Sequence, residues 1–133
     1  MARCVLFALL VLVCCLPGGA PIPGGWGSVP ANSDSLQEPL SVFIQNYNKA
    51  TNDVYVYRVQ SVVSAQSQVV AGVNYKITAI LGKTTCRKNK YSDVNKCPFA
   101  SGNKLKKIKC TFVVYIVAWT GVKEVTQQKC VKA

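Results

Sequence analysis

The sequence predicts an α+β domain in which one N-terminal helix packs on the concave face of an antiparallel β-sheet. Three observations carry that prediction: a helical apolar period beginning at Leu36, Val- and Tyr-rich segments at 54–65 and 72–81, and an almost wholly apolar run at 111–117. With 133 residues, half of them apolar, the chain can bury one modest core but not two.

The chain opens with a single basic residue, Arg3, followed by an apolar run over 4–16 and the small residues Gly18, Gly19 and Ala20. That run is too short to span a bilayer and has the pattern of a secretory signal peptide, residues 1–20, with cleavage expected after Ala20. Its removal takes Cys4, Cys14 and Cys15 away and leaves Cys86, Cys97, Cys110 and Cys130. Four cysteines in a small exported chain imply a disulfide framework with three connectivities open. Spacing favours Cys86 with Cys97 and Cys110 with Cys130, the latter because both are equidistant from Thr120, where a hairpin would set them opposite each other. Opposed Cβ atoms lie roughly 4.5–5.5 Å apart and a disulfide needs about 3.5–4.5 Å, so a small adjustment closes the bond. A zinc site lacks both the Cys-x-x-Cys spacing and any histidine.

Residues 21–35 (PIPGGWGSVPANSDS) have no hydrophobic period and are expected to form a flexible N-terminal arm, with 36–133 a single domain. The arm's large apolar residues, Ile22 and Trp26, either fold back or are offered to a partner. From Leu36 the pattern turns helical: Leu36, Leu40, Phe43, Ile44 and Tyr47 share one face. Ser35 and Glu38 have capping-box spacing, and Pro39 requires a helix start between Leu36 and itself. The helix is expected to end near 51–53.

The strands follow. In 72–81, Val73, Tyr75, Ile77, Ala79 and Leu81 alternate with Asn74, Lys76 and Thr78, and a hairpin with 54–65 would have its tip at 66–71. The segment 82–109 is expected to be a long, irregular basic connection. The run 111–117 is apolar enough for a central strand, and the more polar 122–131 suits an edge.

Catalysis lacks its parts, since there is no histidine, the remaining cysteines can all be bridged, and the five acids are scattered. The first hairpin tip is different. Tight hairpins are usually turned by Gly, Asn or Asp, whereas this one carries Gln68, Val69, Val70 and Ala71 before Gly72. Either the strands continue and the valines pack inward, or the valines enter a partner's groove while Gln68 supplies amide hydrogen bonds. The second turn presents the same choice for Trp119, a residue type that buries about 150–250 Å² where it is covered.

These residues resemble a known family. The QVVAG segment matches the Gln-x-Val-x-Gly loop of the secreted two-disulfide (type-2) cystatins, inhibitors of papain-like cysteine proteases. Residues 48–53 (NKATND), 82–86 (GKTTC), 97–99 (CPF) and 110–115 (CTFVVY), with the four cysteines, extend the likeness from about 24 to 130. The resemblance implies a cystatin-like fold, no enzymatic activity and no cofactor or metal. It also implies a wedge of three parts that blocks a cathepsin-class active site: the arm at Gly24 and Gly25, the loop Gln68, Val69, Val70, Ala71 and Gly72, and the turn at Ala118 and Trp119. Two positions depart from the pattern. Ala118 stands where the family usually has proline, and Thr51 precedes Asn52 where legumain-inhibiting members have serine before the contact asparagine.

Charge supports a different class of function. Without Arg3, fifteen basic side chains face five acidic ones, a net of +10, and Arg87, Lys88, Lys90, Lys96, Lys104, Lys106, Lys107 and Lys109 crowd one segment. The alternative reading is therefore a cationic host-defence or polyanion-binding protein that engages anionic glycans or microbial surfaces through 87–109. Nucleic acid is a poorer partner, because the aromatics do not interleave with the lysines. A cathelicidin-like proregion would lack the QVVAG loop and continue into a further peptide. No Asn-x-Ser/Thr acceptor is present, so no N-glycan is expected.

Overall fold

The computed structural model describes residues 25–133; the expected signal peptide, Ile22 and Gly24 lie outside them. Strand β1 (Trp26–Ser28) is followed by helix α1 (Gln37–Ala50) and by β2 (Tyr55–Val70), β3 (Gly72–Arg87), β4 (Lys107–Val117) and β5 (Val122–Lys132). The five strands form one antiparallel sheet in chain order. Helix α1 packs across β2, β4 and β5 on one face.

The apolar period builds this contact as expected. Phe43 and Ile44 are buried, Leu40 and Tyr47 pack beside them, and the Phe43 ring stacks on Phe112 of β4 at 3.8 Å. Ile77, Ala79 and Leu81 of β3 and Cys110, Phe112 and Val114 of β4 complete the core from the sheet side. Burying a side chain of this size contributes roughly 1.5–3 kcal/mol, which is why the alternating residues of these central strands fix the register.

The helix start differs from expectation. A short 3₁₀ turn (Asp34–Leu36) precedes α1, and Ser33 caps that turn, its Oγ accepting from the Ser35 N–H at 3.3 Å. Ser35 thus lies inside the turn, α1 has no side-chain cap, and Glu38 pairs with Lys123 of β5 at 2.6 Å instead of closing a capping box. Pro39 is buried in the first helical turn, where a missing N–H costs nothing.

Two further expectations are corrected. Residues 26–28 of the arm are a strand, with Trp26, Gly27 and Ser28 paired to Gln68, Ser67 and Gln66. The segment 82–109 is less irregular than its composition suggests, because β3 runs on to Arg87 and 97–100 folds back along it. Thr84 bridges Phe99, Thr85 N–H donates to Pro98 O at 3.0 Å and Ala100 N–H to Lys83 O at 2.9 Å. Both disulfides have the favoured pairing, Cys86–Cys97 and Cys110–Cys130, the latter joining directly opposed residues of β4 and β5.

Candidate functional site

The first hairpin has almost no loop. β2 continues through 66–70, Val69 and Val70 pair with Val73 and Gly72, and Ala71 alone stands between the strands. So the strands do continue, but the valines do not pack inward: Val69 is 67% and Val70 42% exposed. Three register shifts along β2, between Tyr55 and Tyr57, Val59 and Ser61, and Val62 and Ser64, bend and twist the strand, as bulges do.

Gly72 makes so tight a turn feasible. Its φ is 115°, a conformation side chains rarely adopt, and a Cβ there would lie 2.8 Å from Val117 Cγ2 and 2.9 Å from Ile116 O. The tip is therefore pressed against the end of β4. Tyr115 fastens the contact from β4, its hydroxyl donating to Ala71 O. Gln68 is partly buried, and its Oε1 accepts from Asn74 Nδ2 across the hairpin at 3.0 Å.

The second turn, 118–121, lies beside the first tip because Val73 pairs with Ile116. It closes with Gly121 N–H donating to Val117 O at 3.0 Å, and Gly121 has a φ of 76°. Trp119 is 74% exposed and does not fold back onto the sheet. On the other side, Trp26 pairs with Gln68, and Gly25 precedes it at the end of β1 nearer Val69. Gly25, the tip at 69–71 and the turn at 118–119 thus share one end of the sheet, forming an apolar ridge without a titratable side chain. Such a ridge can fill a groove but has no group that transfers a proton or attacks a bond.

Asn52 belongs elsewhere. It is exposed, just before β2 begins, a strand length of roughly 50 Å from the Val70 end. Its neighbours are fixed: Thr51 Oγ1 accepts from Asp53 N–H at 3.3 Å, Lys88 Nζ donates to Thr51 O, and Asp53 Oδ1 accepts from Tyr55 N–H at 3.0 Å. Burial alone would raise the Asp53 pKa, but the Tyr55 N–H and the Lys83 ammonium 3.3 Å away hold it below the ordinary carboxylate value. Burial and this carboxylate together push the Tyr57 phenol up to about 12.

Sequence reasoning missed two supporting residues. Tyr115 is one. The other is Asn48, which is buried and accepts from Tyr57 N–H at 2.8 Å while donating to Tyr57 O at 2.9 Å. The available signal was position: 48 lies one turn beyond Ile44, a polar residue on the apolar face of the helix. No cluster able to hold a metal ion occurs among the described residues.

Comparison with known proteins gives a consistent result. Residues 24–119 match the cystatin domain. Bovine cystatin-C is 39% identical over 108 residues, covering 80% of this chain and 72% of its own length. Dimeric human cystatin F superposes with a TM-score of 0.78 at 23% identity, covering 90% of this chain and 97% of that one, a likeness of fold. A salivary cystatin from the soft tick Ornithodoros moubata is 27% identical with a TM-score of 0.68, over 83% of this chain and 99% of that one. With its helix on a five-stranded antiparallel sheet and its two disulfides, the chain belongs to the cystatin family, in the type-2 branch, and is a cysteine protease inhibitor and not an enzyme.

Proposed function

We propose that the chain is secreted and inhibits papain-like cysteine proteases of the cathepsin class reversibly and competitively, its apolar ridge lying in the active-site cleft. The observation that carries this reading is the convergence of Gly25, the tip at 69–71 and Trp119 at one end of the sheet, with the largest apolar groups there exposed. In this reading Gly24 and Gly25 bend the arm into the substrate subsites, Val69, Val70 and Ala71 lie over the catalytic thiol, and Ala118 and Trp119 cover the far side. Gln68 and Gly72 hold the first tip in shape. Inhibition follows from occlusion: water and substrate are excluded, and no scissile bond is presented in attack geometry. Ordering costs are small where the strands and Tyr115 already hold the tip, which favours tight binding.

Titration of residues 21–133 against papain tests the reading. Stoichiometric, substrate-competitive loss of activity is expected, and full activity at micromolar excess refutes it. A second activity, against legumain through Asn52, is supported by the exposure of that residue on a loop held at the other end of the sheet. Legumain inhibition that is abolished by Asn52→Ala, with papain inhibition unchanged, is the expected result.

A further inference from the structure

The basic residues that are adjacent in sequence do not form one patch in space. Arg87 lies over the Tyr55 ring and Lys88 donates to Thr51 O, so both are engaged locally. Lys109 pairs in register with Ile80 and alternates with the buried Cys110, which puts it on the sheet face away from α1, as Lys129 opposite Thr111 and Lys76 opposite Val113 also are. Lys107, two residues before Lys109 on β4, shares that face. A different set gathers on the helix side of the sheet, at the end remote from the ridge. One cleft there, of about 670 Å³, is lined by Lys106 and Lys132 over Tyr47 and Tyr57. A second, of about 440 Å³, is lined by Lys83, Lys104 and Lys106. The two share Lys106. Of these four lysines, only Lys83 forms an ion pair among the described residues, with Asp53.

We propose that this double cleft binds a sulfated glycosaminoglycan chain. Charge complementarity commits the site to a polyanion, since three lysines without an acidic partner, Lys104, Lys106 and Lys132, line one furrow. Shape selects a linear one: a flexible chain carrying closely spaced sulfates can lie along a concave furrow, whereas the flat surface of an anionic bilayer meets only its rim. Lys107 and Val117 are the two ends of β4, so the furrow lies about 33 Å from the turn that carries Trp119. A bound glycan therefore leaves the ridge free, and inhibitor, protease and glycan can be joined in one complex.

The test compares two triple variants of equal charge, Lys104→Ala/Lys106→Ala/Lys132→Ala in the cleft and Lys76→Ala/Lys109→Ala/Lys129→Ala on the opposite face. All six side chains are exposed, and thermal melts confirm that both variants fold. With heparin as probe at 0.15 M NaCl, the cleft variant is expected to bind on the order of tenfold more weakly than the unmodified protein, the control variant less than about threefold. Equal losses in the two variants, or no heparin binding by the unmodified protein, overturn the proposal. So does a cleft variant that loses binding to phosphatidylserine vesicles but keeps heparin affinity. Saturating heparin is expected to leave papain inhibition unchanged; competition between heparin and papain refutes the separation of the two surfaces. Heparin affinity is read independently of inhibition, so either proposal can fail alone.

Discussion

Replacing Gly72 with alanine puts the junction of the two hairpins under a defined strain. The added methyl would sit 2.8 Å from Val117 Cγ2, 2.9 Å from Ile116 O and 3.0 Å from Tyr115 Cε1, at a φ of 115°. The valine methyl can rotate away, but the carbonyl oxygen belongs to a paired strand and cannot. The backbone conformation alone costs about 1–3 kcal/mol, and overpacking adds a similar amount. The sum, about 2–6 kcal/mol, is relieved either by global loss of stability or by the first tip swinging away from β4 and breaking the Tyr115 to Ala71 bond. Urea unfolding and papain titration read the two routes separately: the first lowers the midpoint, the second leaves it near the original value and weakens inhibition. Gly27→Ala is the control, because nothing lies within 4 Å of its added Cβ. A Gly72→Ala protein unchanged in both midpoint and inhibition would refute the reasoning.

Three further outcomes are expected. Trp119→Ala, at a residue 74% exposed, should shift stability by no more than about 0.5 kcal/mol while weakening papain inhibition by roughly 2 kcal/mol, about thirtyfold; equal effects on both would mean that the indole serves the fold. Asn48→Ala strands the buried N–H and C=O of Tyr57 and should cost about 2–5 kcal/mol in unfolding free energy, with inhibition intact once folded. Asp53→Asn should destabilise the protein near neutral pH but have little effect at strongly acid pH. The folded carboxyl has a lowered pKa, so its stabilisation is present above the ordinary carboxylate value and disappears as pH falls through the folded value. Melts of both proteins between pH 7 and about 2 test this, and a pH-independent gap would contradict it.

The fold was legible wherever burial imposed a period. Leu36 of the 3₁₀ turn with Phe43 and Ile44 of α1 announce one buried stripe, and the alternation of Ile77, Ala79 and Leu81 announces the core face of β3. The ends of the strands were less legible because pairing, unlike burial, leaves no mark on composition. Residues 66–68 are paired on both sides yet polar, 69–70 are paired to β3 yet exposed, and 83–85 is paired by a segment brought back through the Cys86–Cys97 bridge. The site was legible in part. Val69, Val70 and Trp119 stood out as apolar residues in places where apolar residues are costly, but their proximity depends on registers between segments far apart in the chain. Tyr115 could not be seen as the fastener of the first tip without knowing that β3 and β4 pair.

The two disulfides have a consequence for how the molecule comes apart. Both bridges fall within 86–130, one closing a span of eleven residues and the other of twenty. Among the described residues, no disulfide reaches α1, β1 or β2. That front half is held by the stacked Phe43 and Phe112 rings, by ladder hydrogen bonds to β3 and by one asparagine. Oxidation therefore toughens only the back of the molecule. On heating, the helix and its strand can lift away as a unit while the stapled β4–β5 hairpin stays closed, so amide exchange should be fastest along the seam where β2 meets β3.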